Sequence, residues 1–168
     1  MNERIWKCLW QLVLLLLLQE VLLNNIHLFG YATPIVIAWL PMHAPRRTPP
    51  IPRLLWAFAM GLLFDMFSNT MGMGMASCTL MAMLQPPLLE AFTPRNAADD
   101  MAPSPDTMGT GRYVAYTLVT MLIFHIVFYA LDAFTLTNWQ LTALGAVSAG
   151  LLATLLVALL QWAIGGRK

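Results

Sequence analysis

Five polar side chains inside predicted membrane spans could carry chemistry, Gln11, Gln19, Glu20, Asp65 and His125, whereas Gln85, Glu90 and Gln161 are read as close enough to the cytoplasmic side to reach water. A polar group in hydrocarbon is costly, so each of the five is a candidate for function and needs a partner. Asp65 is the sharpest. It lies in the run GLLFDMFSNTMGMG, near the outer end of a predicted span, where a carboxylate needs water, a proton or a hydrogen-bonding neighbour. Two chemistries fit it: an ion-, proton- or ligand-binding group, or a structural carboxylate capping the turn made by Ser68, Asn69 and Thr70. His125 stands at a similar depth in another span. A buried imidazole and carboxylate stabilise each other's charged forms, so the two residues could form a pH-sensitive pair. A histidine alone in a span is equally a hydrogen-bonded packing residue. Gln11 and Gln19 are eight residues apart, close to two helical turns. With Glu20 they give the first helix one polar stripe, either lining a cavity or binding helices together.

Met71, Met73 and Met75 alternate with Gly72 and Gly74, and closely spaced thioethers can hold Cu(I). Twelve methionines are scattered through the chain, however, and no histidine is near this cluster. Flexible packing at a helix entrance explains it better, and no metal or other cofactor is expected. Gly145, Ala149 and Ala153, with Ala146 and Gly150, form small-residue steps that let another helix approach closely. The sequence contains no phosphate-cradling glycine loop, no HExxH and no CxxC. No enzymatic activity is expected.

The elements that must position these residues are read from hydropathy and charge. Apolar residues make up 59% of the chain and charged ones 10%, where soluble domains carry about a quarter charged. With a crossing requirement of roughly 20 apolar residues, six spans are predicted in one membrane domain over residues 1–168: about 5–23, 26–42, 51–67, 72–92, 113–131 and 139–164. All nine basic residues then fall on one side: Arg4, Lys7, Arg46, Arg47, Arg53, Arg95, Arg112, Arg167 and Lys168. Basic residues resist translocation, so that side is read as the cytoplasm, with both termini inside. The second span is short, with Thr33 and Pro34 read as its N-cap and first helical residue and Pro41 as its stop. Without that crossing, Arg46, Arg47 and Arg53 would move outside and the partition would collapse.

The prolines of APRRTPPIPR predict an extended cytoplasmic linker before the third span. Pro86 and Pro87 predict a kink or an end to the fourth. Residues 93–112, polar and rich in proline and glycine, are expected to be a disordered cytoplasmic loop. Trp39, Tyr113 and Tyr116 are read, with other aromatics, as markers of the inner interface. Cys8 and Cys78 are read as packing residues, since two cysteines so placed make no disulfide framework. The basic, leucine-rich N-terminus resembles a signal peptide without a small-residue cleavage site, and is read as an uncleaved first helix. Nothing in the charge pattern suggests nucleic acid.

The run AFAMGLLFDMFSNTMGMGM, residues 57–75, resembles the signature of the rod shape-determining protein MreD family. A glycine is followed four residues on by an aspartate (Gly61, Asp65), then by a turn with Ser68 and Thr70, then by Gly72 opening the next helix. The leucine-rich, glutamine-bearing first helix and Pro34 in a short second helix are similar to the family too. Asn69 stands where the family frequently has glycine, and the prolines at 44–52 and 86–87 depart from its pattern. The resemblance implies a non-enzymatic subunit of the bacterial inner membrane serving cell-wall elongation and rod shape. Its principal partner would be MreC, within a complex that also holds MreB, a glycan polymerase and a penicillin-binding transpeptidase. It also implies a fold similar to the substrate-binding S components of vitamin transporters, with Gly61, Asp65 and Gly72 as fold-defining positions. The competing expectation is a true S component, with Asp65, His125 and Glu20 around an outward pocket. The small residues that such proteins carry on their first helix are replaced here by LVLLLLL.

Overall fold

The computed structural model describes residues 10, 13–17, 19, 33–94, 98, 100–133 and 139–165. Among them every regular element is helical: α1 (Trp39–Met42), α2 (Pro50–Ser68), α3 (Met73–Phe92), α4 (Pro105–Met108), α5 (Thr110–Asp132) and α6 (Trp139–Gly165). Residues 13–17 are also helical. Three stretches, Pro50–Ser68, Thr110–Asp132 and Trp139–Trp162, are long and apolar enough to cross a membrane. Among the described residues the chain is thus all-helical with three candidate spans. The predicted fourth span coincides with α3, whose length suffices but whose apolarity is diluted by Gln85, Pro86, Pro87 and Glu90.

The helices pack as a bundle in which α2 lies on α3, α3 on α5, and α5 on α6. The sequence of α5 explains its central place. Tyr113, Tyr116, Thr117, Thr120, Met121, Phe124, His125 and Phe128 are all buried, recurring at alternating steps of three and one, the stripe of a helix that buries one face. Against it α6 presents Ala146, Ala149, Gly150 and Ala153, and a Cβ on Gly150 would come within 2.9 Å of Leu122 Cδ2 and 3.3 Å of its Cα. The small-residue face that contains Gly145, Ala149 and Gly150 therefore serves contact within the chain.

The second predicted span differs most from expectation. Residues 33–38 are not helical, and α1 is four residues long, so Thr33 and Pro34 do not open a helix. Pro34 and residues 35–39 are nevertheless buried, which makes this a non-helical strip of backbone inside a helical bundle. Residues 20–32 lie outside the described residues. Of the two effects expected of Pro86 and Pro87, the ending does not occur: α3 runs on past both to Phe92. Nor is the 93–112 segment wholly disordered. Ser104 and Thr107 form a capping box that starts α4, Met101 and Met108 are buried, and the Met101 carbonyl accepts from Arg46 N–H at 3.0 Å. Two apolar side chains suffice to dock a stretch whose composition is otherwise polar.

α2 begins with prolines at its first turn, where their missing N–H costs nothing. It ends on Asn69, whose φ of 54° is left-handed. Asparagine tolerates that region better than other side-chained residues, so it can stand where a glycine would otherwise be required. α2 and α3 then approach closely at one point: a Cβ on Gly61 would lie 2.5 Å from Met75 Cα and 2.6 Å from the Gly74 carbonyl oxygen. Both obstacles are backbone and cannot rotate away. Gly61→Ala should lower stability by about 1–3 kcal/mol, read as a fall in thermal midpoint in detergent. Gly111→Ala, with nothing within 4 Å of the added atom, is the control and should be neutral or slightly stabilising.

Candidate functional site

The turn between α2 and α3 is organised by Asp65. A helix start leaves its first N–H groups without partners, and here each is accounted for. Met73 N–H donates to the Thr70 carbonyl at 3.1 Å, and Ala76 N–H donates to Gly72 at 3.0 Å. Between them, Gly74 N–H donates to Asp65 Oδ1 and Met75 N–H to Oδ2, each at 2.8 Å. The Thr70 hydroxyl also donates to Oδ1. Gly72, at φ 89°, and the largely exposed Met71, at φ 41°, bend the chain so that these donors converge. A negative charge at a helix N-terminus also meets the positive end of the macrodipole. Asp65 is only 6% exposed, so these charge-assisted bonds are what make its burial tolerable. Gly74 is required as well, since a Cβ there would meet Phe64 Cδ1 at 2.5 Å and Asp65 Oδ1 at 2.7 Å.

Asp65 and His125 have separate hydrogen-bond partners. His125 is fully buried on α5, where its Nδ1 lies 2.8 Å from the Met121 carbonyl and its Nε2 accepts from Ile35 N–H at 3.0 Å. The ring is thereby set as the neutral tautomer with the proton on Nδ1. Both nitrogens are occupied by backbone. Gln19 plays the same part: its Oε1 accepts from Val36 N–H at 2.9 Å and its Nε2 donates to the Pro34 carbonyl at 3.0 Å. The Tyr129 hydroxyl accepts from Thr33 N–H at 3.0 Å. Gln11 and Glu20, the other members of the expected polar stripe, lie outside the described residues.

The same pattern continues toward the basic end of the bundle. Tyr116 OH donates to the Met42 carbonyl at 2.9 Å, and Gln85 Nε2 donates to Ala44 at 2.9 Å. His43 closes the series. Its Nδ1 lies 2.9 Å from the Trp39 carbonyl, and its Nε2 accepts from Tyr113 OH at 3.1 Å and from Gln161 Nε2 at 2.8 Å. This one ring joins α1, α5 and α6. Burial pushes its pKa down to about 4, an effect that the bond to Trp39 only partly offsets.

Sequence reasoning placed Trp39, Tyr113 and Tyr116 at the lipid interface, but all three are buried in protein: Tyr116 OH bonds the Met42 carbonyl and Tyr113 OH the His43 ring, while the Trp39 ring packs 4.6 Å from that of His43. Tyr129 was read as an outer-interface aromatic, and Gln85 and Gln161 as close enough to the cytoplasmic side to reach water, but Gln85 is buried against Ala44 and Gln161 bonds His43. His43 was not singled out, and Gly74 only as part of the methionine run. The available signal was the coincidence of Tyr113, Tyr116 and His125 with the buried stripe of α5. Among the described residues no three His, Cys, Asp or Glu side chains come together as a metal site. No protein-family model matches this sequence, and no curated protein or solved structure matches it either.

Two measurements test these assignments. Asp65→Asn leaves one of the two helix-start donors facing an amide NH₂, and should cost about 1.5–3 kcal/mol, with Thr70→Val costing less, both read by thermal unfolding in detergent. For His43 the folded pKa lies below the ordinary 6.5, so the unfolded chain binds more protons between the two values. Stability should be flat above about pH 7 and fall as the pH drops from 6.5 toward 4. A His43→Asn variant should lose part of that slope.

Proposed function

We propose that this chain is a non-enzymatic scaffold subunit of the bacterial inner membrane, an MreD-like partner of MreC in cell-wall elongation. The observation that carries this reading is the use made of Asp65. It is the acidic residue of the segment on which the resemblance rests, and both of its oxygens are engaged by the chain's own turn. Gly61, in the same segment, is held by close backbone approach. A signature whose residues build a helix hairpin belongs to a protein recognised by its shape. The proposal includes six crossings, both termini in the cytoplasm, and Arg46, Arg47 and Arg53 on the inner face. The apolar flanks support membrane embedding and lateral assembly. Ile51, Leu55, Phe58, Leu62 and Met66 are exposed along α2, and Leu144, Val147, Leu151, Leu155 and Leu159 along α6.

The S-component reading would draw on His125 as a pocket residue, but His125, like Gln19, is committed to backbone of residues 34–36. The test is purification of the tagged full chain from bacterial membranes in mild detergent, with its companions identified by mass spectrometry. A single-span protein with a large periplasmic region should co-purify in near-stoichiometric amount. Recovery of a stoichiometric vitamin with an ATP-driven energising module instead would overturn the scaffold reading.

A further inference from the structure

Two features on the outward face of α3 lie one above the other. The first is an apolar groove of about 380 Å³ between α2 and α3, lined by Phe58, Met75, Ala76, Thr79, Leu80 and Met83. The second is a polar pocket of about 250 Å³ at the C-terminal end of α3, lined by Arg46, Glu90, Thr93 and Pro94. Ala76, Leu80, Met83, Pro87 and Glu90 are all exposed and recur every three or four residues, so one stripe of the helix joins groove to pocket. At 1.5 Å per residue, the groove lies roughly 10–21 Å from Glu90 along the axis. Half of a hydrocarbon core is about 15 Å thick. The near end of the groove is therefore within reach of the distal part of an acyl chain whose headgroup sits at Glu90, and its far end passes the midplane.

The pocket's chemistry narrows the headgroup. Arg46 Nη2 and Glu90 Oε1 are 3.6 Å apart, with 32% and 63% of their side chains exposed, so the pair is loose and each partner keeps capacity for a ligand. Arg46 is fixed at its backbone by the bond to Met101. The Thr93 hydroxyl is buried with no partner. A guanidinium beside a hydroxyl suits a phosphate. A carboxylate in the last turn of a helix, next to carbonyls at the negative end of the macrodipole, suits a cation. Acid and base within one small pocket complement a ligand bearing both charges.

We infer that this face binds a phospholipid with a zwitterionic headgroup, the phosphate on Arg46 and Thr93, the primary ammonium on Glu90, and one acyl chain in the groove between α2 and α3. The inference needs only that the bundle sits in a bilayer and is independent of the scaffold reading. A quaternary ammonium cannot donate a hydrogen bond to Glu90 and an anionic headgroup meets its charge, so a primary amine is favoured over both.

The test uses the full chain in nanodiscs of phosphatidylcholine doped with either phosphatidylethanolamine or phosphatidylglycerol, with retained lipid measured by native mass spectrometry. Phosphatidylethanolamine should be retained about tenfold over either alternative. Arg46→Ala and Glu90→Gln, both at partly exposed positions, should each remove that preference. Ala76→Phe should reduce retention of every lipid. Equal retention of the three lipids, or stronger retention of phosphatidylglycerol, overturns the assignment. So does binding of free phosphoethanolamine as tight as that of the lipid, because the groove would then contribute nothing.

Discussion

A peptide backbone that is neither helix nor sheet cannot sit inside an apolar bundle unless something else satisfies its N–H and C=O groups. Residues 33–38 are such a backbone, and the distribution of polar side chains follows from them. Thr33, Pro34, Ile35 and Val36 are met by Tyr129, Gln19 and His125. Farther along, Met42 and Ala44 are met by Tyr116 and Gln85. Each unmade bond of this kind would cost about 1–3 kcal/mol. A handful of them approaches the whole stability of a small domain. The polar residues are therefore tied to the strip, and the strip to them. Shortening it into a regular helix would strand the side chains, and replacing the side chains would strand the backbone.

That interdependence also explains what could be read from the sequence. The helices at 50–68, 73–92, 110–132 and 139–165 lie within a few residues of their expected ends, because hydrophobic length, proline and glycine act locally. The turn at Asp65 was visible as chemistry, since a carboxylate followed by Ser68, Asn69 and Thr70 is a capping pattern. Its acceptance of bonds from Gly74 and Met75 was not, because those donors come from the next helix. Thr33 and Pro34 were misread for the same kind of reason. They have the residue types of a helix start, yet their backbone partners lie up to 96 residues away, and no window of local sequence carries that distance. Gln19 and His125 were identified as polar groups needing partners. Their partners proved to be main chain rather than a ligand or, for His125, the Asp65 carboxylate.

α3 is where the two constraints meet. Its first turn is held by the Asp65 carboxylate and by the close approach of Gly61. Near its other end, Gln85 holds the Ala44 carbonyl, and Tyr116 from α5 secures the neighbouring Met42. Along its length Ser77, Cys78, Met81, Ala82, Gln85 and Leu89 are buried against the bundle. Pro86 and Pro87 sit in this helix without ending it, and these contacts on both sides of the prolines supply what the missing backbone hydrogen bonds do not.

A helix fixed at both ends and along one side can present its remaining face with little freedom to adjust. That face carries Ala76, Leu80 and Met83 near the middle and Glu90 near the end, and it stays in register with the exposed row of α2 because Gly61 locks the two helices together. Rigidity of this kind lowers the entropy lost when something docks there, whether lipid or protein, since the surface is already in its bound form. The polar groups inside the bundle thus reach its surface indirectly: they hold the strip, the strip helps to hold α3, and α3 holds the outer face.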